Sequence, residues 1–276
     1  MGILLGLAAA ALYGGSDFAG GLASRRLDAL AVSMVGSTAA TALVWAVLLF
    51  GHAPPPSTHA VVWGLVSGLG GGLGTLVLYR GLARGRMSVV GPVSAVGAAV
   101  VPVVAGLALG ERPGALAAVG VLLALPAIAL VAANGSARGI LRTALGDGLI
   151  AGVAFGMMFV GLAQAGGHAG LWPVAAEQTS SLLVILAARL RSRERLGLTV
   201  RNIGLPIAAG VSGMAATLTY FYATQFGMLA TVAILTSLYP GVTVALARVV
   251  THERFGVAQR IGFGLCALAV VAIAVN

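Results

Sequence analysis

Lysine is absent from this 276-residue chain, cysteine occurs once, and charged residues make up only 8% of it. Each shortage excludes something. A single cysteine, Cys266, forms neither an intrachain disulfide framework nor a cysteine metal cluster, and its place in an apolar stretch reads as core packing. The four histidines, His52, His59, His168 and His252, fall in or beside expected loops at no metal-site spacing, so neither a metal nor any other cofactor is expected. No HExxH, G-x-S-x-G or cysteine pair is present, and the THERF stretch at 251–255 is not a zinc motif, so an enzyme is not expected. Without a lysine-bearing phosphate loop, ATP-driven pumping on this chain is excluded. The all-arginine basic set, beside abundant Ala, Gly and Val, reflects genome composition better than it reflects arginine-specific recognition.

What is present is apolar. A hydrophobic share of 59% and a mean hydropathy of +1.03 place the chain among integral membrane proteins. A helix needs about 20 apolar residues to cross the hydrocarbon. Ten such stretches follow one another: 3–23, 30–50, 61–80, 87–108, 115–133, 146–164, 170–188, 203–222, 229–249 and 257–275. The first lacks a preceding basic region and is too long for a signal peptide, so it is expected to be a retained helix. A net charge of +9 suggests nucleic acid at first sight, but the arginines are strung singly or in small groups along short loops. Fifteen of the 16 basic residues fall in alternate loops, with Arg112 alone on the other side. By the positive-inside rule those loops are cytoplasmic and both termini lie outside, as expected of a multi-pass protein of the plasma (inner) membrane.

The chain also repeats itself. A shift of 142 residues aligns the two halves without a gap, pairing Glu111-Arg112 and Gly114 with Glu253-Arg254 and Gly256. The same shift pairs Gly6-Leu7 with Gly148-Leu149, Gly14 with Gly156, Gly68 with Gly210, Gly71 with Gly213 and Thr75-Leu76 with Thr217-Leu218. Between Tyr79 and Asn134 it gives twelve identities in 56 positions. The expected units are 1–142 and 143–276. Five spans per unit is an odd number, so the second unit must cross the membrane in the opposite sense. The expected fold is therefore an all-α membrane protein of ten helices in two inverted five-helix repeats, a signature of secondary transporters.

The Tyr-Gly-Gly-Ser-Asp-Phe stretch at 13–18, the VVGPVSAVGAAVVPVVAGLALGERPG segment and its counterpart TVAILTSLYPGVTVALARVVTHERFG resemble the EamA-type transporters of the drug/metabolite transporter superfamily. His252 stands where that family's turn usually has glycine, and Pro240 has no counterpart at Ala98. The resemblance covers essentially the whole chain. It implies a ten-helix carrier of small metabolites, often an exporter of amino acids, nucleobases or amphiphilic compounds, and it names no substrate.

Candidate site residues come from polar groups inside apolar spans. An aspartate near a helix centre costs about 2.5–3.5 kcal/mol on insertion, so Asp17 is expected to face a cavity or a partner. Tyr13 and Ser16 share or flank its face. A second acid, Glu177, lies in WPVAAEQTSS beside Gln178. The repeat copies neither acid: Asp17 aligns with Phe159 and Glu177 with Val35. Low dielectric disfavours an ionised carboxyl, which makes proton coupling through either acid one expectation. Contact with a cationic or amine-bearing substrate is another, and a hydrogen bond between helices is the structural alternative. Thr217 and Tyr220, and Thr236, Tyr239 and Pro240, complete the expected lining. Pro92, Pro102 and Pro240 are expected to kink their helices. Tyr79 and Trp172 are expected as interfacial anchors near span ends. Gly64, Gly68 and Gly72, with Gly70 and Gly74 on a neighbouring stripe, and Ala209, Gly213 and Thr217 in the second unit, are expected to seat helices closely.

A secondary active transporter that exports small organic metabolites by alternating access is thus expected. A non-transporting membrane sensor or structural protein on the same fold is the alternative. The expected partners are a small-molecule substrate and the lipid bilayer, without nucleic acid, in a monomer or weak homodimer.

Overall fold

Apolar runs of this length have one way to satisfy their backbone in lipid, which is to hydrogen-bond within each segment. The computed structural model describes residues 1–50, 55–84, 87–108, 115–116, 119, 122–123, 126–127, 130, 138–166, 170–192, 197–226, 232, 235–250 and 256–274, and among them it contains helices and no strand. The helices are α1 (Gly2–Ser24), α2 (Ala29–Phe50), α3 (Thr58–Ala83), α4 (Met87–Ala108), α5 (Arg138–Gln164), α6 (Trp172–Arg191), α7 (Gly204–Phe226), α8 (Tyr239–Val250) and α9 (Val257–Ala274). Where the sequence suggests ten spans, five helices among the described residues are both long and apolar enough to cross a membrane: Gly2–Ser24, Ala29–Phe50, Thr58–Ala83, Arg142–Gln164 and Gly204–Phe226. The polar run from Glu177 to Ser181 makes α6 less apolar than its neighbours. The expected 229–249 span is interrupted by a turn at Ser237–Leu238, and most of the 115–133 span lies outside the described residues.

Local signals set the starts. Asp28 caps α2, its Oδ1 accepting from the backbone N–H of Leu30 and Ala31 at 2.9 and 3.2 Å. Ser57 does the same for α3, accepting from Ala60 N–H at 3.1 Å. Pro240 opens α8 instead of bending it, since its missing N–H is harmless in a first turn. Pro92 and Pro102 do lie inside α4.

Large apolar side chains face outward as well as filling the core, where Leu78, Leu82, Ile185 and Phe221 are fully buried. Along α3, Val62, Leu65, Val66, Leu69 and Leu73 form an exposed stripe suited to lipid tails. The glycines behind it seat two different helices. Gly64, Gly68 and Gly72 lie against Pro173–Ala176, Glu177–Ser181 and Ser181–Val184 of α6, while Gly70 and Gly74 lie against Ala154, Met158 and Phe155 of α5. The rising numbers show that α3 and α6 run parallel. Contacts of Gly70 with Ala154, of Gly81 with Asp147, and a 2.8 Å bond from Ser67 Oγ to Met158 O show that α3 and α5 run antiparallel.

Positions related by the 142-residue shift pack alike. Gly6 meets Leu235, and its mate Gly148 meets Val93, the mate of Leu235. Gly68 rests on the α6 backbone at Glu177, and its mate Gly210 rests on the α2 backbone at Gly36. α1 packs on α7 as α5 packs on α3.

One ion cluster breaks this symmetry. Asp147, 3% exposed, takes Arg80 on Oδ1 at 2.6 Å and Arg84 on Oδ2 at 2.7 Å, tying the end of α3 to α5. Both guanidinium groups remain about half exposed, so solvent weakens the pairs. Asp147→Ala is expected to lower stability by about 1–2 kcal/mol, less than the cost of breaking a fully buried pair. Thermal unfolding in detergent, wild type against variant, measures it. An unchanged midpoint would show that the cluster does not hold these helices.

Candidate functional site in the central cavity

Five long helices and α6 leave a cavity between them that is open to the exterior on one side. Its wall draws on both halves of the chain. α1 contributes Tyr13, Ser16 and Asp17, and α2 contributes Ser33, Gly36, Ser37 and Ala40. Gly71, Thr75, Leu78 and Tyr79 come from α3, Phe155 and Met158 from α5, and Glu177, Gln178 and Ser181 from α6. The wall is completed by Ala209, Gly210, Gly213, Met214 and Thr217 of α7.

The two intramembrane acids, 160 residues apart in sequence, therefore face one space. Asp17 is 9% exposed and Glu177 2%. Glu177 reaches the cavity past Gly71, where an added Cβ would stand 2.6 Å from Oε1. Its other oxygen, Oε2, is buried without a hydrogen-bond partner. Hydroxyls bind the helices around the cavity to one another. Thr217 Oγ1 donates to Gly213 O at 3.1 Å, so its 2.9 Å bond to Tyr13 uses the tyrosine proton. Ser16 Oγ donates to Ala209 O at 2.7 Å and Ser212 Oγ to Leu12 O at 2.8 Å, which fixes α1 against α7. Behind the wall, Trp45 Nε1 donates to Thr179 Oγ1 at 3.0 Å and Thr41 Oγ1 to Gln178 O at 3.1 Å, holding α6 to α2. Tyr13→Phe is expected to cost about 1 kcal/mol by leaving Thr217 with one bond fewer. A double-mutant cycle with Thr217→Val checks it, and a zero coupling energy would refute the link.

Of the residues suggested by sequence, Tyr13, Ser16, Asp17, Glu177, Gln178 and Thr217 line this cavity. Four others lie outside the lining. Tyr220 is fully buried with its ring 4.8 Å from that of Phe159. Thr236 is buried against α1, its hydroxyl 3.5 Å from Gly6 O. Tyr239 bonds Ser94 at 3.0 Å and lies against the Tyr13 ring, and Pro240 is buried at the head of α8. Of the repeat motif, Glu111, Arg112, Gly114, Glu253 and Arg254 fall outside the described residues, while Gly256 accepts from Arg260 N–H at 3.1 Å at the start of α9.

Tyr79 corrects an expectation. It is no interfacial anchor: it is 5% exposed, lines the cavity and occupies the notch at Gly20, where any Cβ would overlap its ring. Ser33, Ser37, Thr75 and Ser181 were not singled out either, although Ser33 and Ser37 lie four apart beside Gly36 in an apolar span. That spacing puts them on one face, the available signal.

A family model described as the EamA-like transporter family matches residues 1–133 and 144–275. The chain belongs to the EamA-like transporter family. The family lies within the drug/metabolite transporter superfamily, and membership makes this a membrane protein of transporter type. A solved crystal structure described only as that of a protein matches with a TM-score of 0.70 at 16% identity, over 99% of this chain and 96% of that one. That likeness is one of fold. A search of curated proteins returned no match. In this EamA-like chain the two matched segments meet at the cavity, since α1–α3 and α5–α7 both supply its wall.

Proposed function

We propose that this EamA-like protein is a secondary active transporter that moves a small organic metabolite by alternating access, outward across the plasma membrane. Its unit is ten helices in two inverted repeats, with the arginine-rich loops cytoplasmic and both termini outside. The observation that carries the reading is the cavity, whose lining includes two acids from different halves of the chain together with several hydroxyl-bearing residues.

Helix directions support the inversion. α1 and α2 are joined by four residues, Arg25–Asp28, and so run antiparallel. α2 and α3, joined by the seven residues 51–57, also run antiparallel. α6 is parallel to α3, and α3 antiparallel to α5. Thus α1 and its mate α5 point in opposite senses, as inverted units require. Coupling to protons through Asp17 or Glu177 is the accompanying proposal, because a carboxyl that alternates between a wet and a dry environment binds and releases a proton.

The test is counterflow in proteoliposomes, preceded by thermal unfolding in detergent against amino acids, nucleobases and amphiphilic cations. A ligand at a hundredfold excess over its Kd stabilises the folded state by about 2.7 kcal/mol. A stabilising compound that also exchanges across the vesicle membrane supports the reading. A compound that binds and never exchanges identifies a sensor instead.

A further inference from the structure

The composition of the wall speaks to the charge of the cargo. Among the described residues, Asp17 and Glu177 are the ionisable carboxyls on it, and none of the described lining residues is an arginine or a histidine. The chain has 16 basic residues and only seven acidic ones, so an acid-only wall runs against the overall balance. Among the described residues, the ion pairs of the interior belong to Asp147 with Arg80 and Arg84, and neither cavity acid takes part in them. Glu177 is 2% exposed, and its Oε2 has no hydrogen-bond partner. An isolated carboxylate withdrawn from water costs several kcal/mol unless a positive charge or donors meet it. Three aromatic residues, Tyr13, Tyr79 and Phe155, are also among the lining residues.

We infer that the cargo site is built for a small organic cation, a primary amine or quaternary ammonium on an apolar or aromatic body, with Glu177 as the residue that receives its positive head. This rests on the transporter reading and narrows it. An amine donates to Oε2 and an ammonium of either kind supplies the missing charge. Asp17 supplies a second carboxyl on the same cavity, and the aromatic residues of the lining offer apolar surface to the body of the ligand. A zwitterionic amino acid would bring a carboxylate that no basic side chain of the wall can meet, and an organic anion would add repulsion from both acids.

The experiment compares four probes of similar size on the full-length protein: phenethylamine, benzyltrimethylammonium, phenylalanine and phenylacetate. Thermal unfolding in detergent reads binding, and counterflow in proteoliposomes reads transport. The two cations are expected to raise the unfolding midpoint and to exchange, and the zwitterion and anion to do neither. Glu177→Gln is expected to weaken cation binding at least tenfold while the variant keeps a cooperative unfolding transition. Should Glu177→Gln not fold, Glu177→Asp serves: it keeps the charge on a shorter stem and is expected to retain cation selectivity with reduced affinity. Equal or better binding and exchange of phenylalanine or phenylacetate would overturn the cation site and leave the transporter reading standing. Cations that stabilise but never exchange would uphold the site and overturn transport. Silence from both cations on folded protein would overturn the inference, as would unchanged cation affinity in Glu177→Gln.

Discussion

Gly68→Val is expected to prevent the protein from accumulating in its folded form. A Cβ at this position would lie against Glu177 O, 2.6 Å from Ser180 Cβ and 2.9 Å from Ser181 N. Two of those atoms belong to the α6 backbone, which cannot turn aside as a flexible side chain does. The alternative is to push α6 off α3, and the same glycine stripe seats α6 at Gly64 and Gly72 as well. Lipid provides little hydrophobic drive to restore the contact, because association within the bilayer depends on close packing. Overpacking costs typically 1–3 kcal/mol and occasionally more, and valine here brings a cost at or above the top of that range. Expression level and the unfolding midpoint in detergent measure it, with Leu69→Val as the control. Leu69 is adjacent in sequence but 54% exposed on the outer stripe, so its change is expected to stay within about 0.5 kcal/mol. A Gly68→Val protein with the wild-type midpoint would show that α6 is not held by this stripe.

Asp17→Asn is expected to lower transport by tenfold or more while stability is kept or raised. The side chain projects from α1 into the cavity, with Tyr13 one turn away and Ser16 adjacent, and forms no ion pair among the described residues. Replacing a buried unpaired carboxylate by a neutral amide of the same shape removes a desolvation cost, so folding does not suffer. Function does, since a hydrogen bond to a charged group is worth about 1.5–3 kcal/mol and tenfold corresponds to about 1.4. A stable variant with lost activity is the familiar result of relieving strain at a working site. Initial uptake rates in proteoliposomes, set beside the unfolding midpoints of the same preparations, give both readings. Full transport in Asp17→Asn would remove this residue from the pathway, and a large loss of stability would make it a structural group.

Much of this was legible in sequence because the bilayer imposes strict rules. A long apolar run must be helical, an acid within it must face inward, and a glycine every fourth residue must meet another helix. Asp17, Glu177, Tyr13 and the Gly64–Gly68–Gly72 stripe follow from those rules, and each lies where they imply. The rules do not say which neighbour an inward face meets. Thr236 and Tyr239 point inward as expected, but toward α1 and Ser94 and not into the cavity. Tyr79 looks interfacial because it precedes Arg80 at the end of a span, and only the notch at Gly20 draws it inside. Serine and threonine hydroxyls are hard to read for a further reason. They bond their own helix backbone, as Ser33 does to Ala29 O at 2.9 Å, so their presence in an apolar span requires no cavity.

The Asp147 cluster has a bearing on how such a molecule rests. By the 142-residue shift its carboxylate corresponds to Leu5, and Arg80 and Arg84 correspond to Tyr222 and Phe226. One end of the pseudo-symmetric pair of helices is fastened by charge, while at the equivalent positions stand apolar and aromatic side chains, of which Tyr222 and Phe226 are exposed. Under the alternating-access proposal, exchanging the roles of the halves would not return the same energy. Salt weakens the charged fastening and leaves the other end almost untouched, while cooling weakens hydrophobic contacts in water more than ion pairs. On that proposal the two facings of the carrier would differ in free energy through three residues that the other half does not copy.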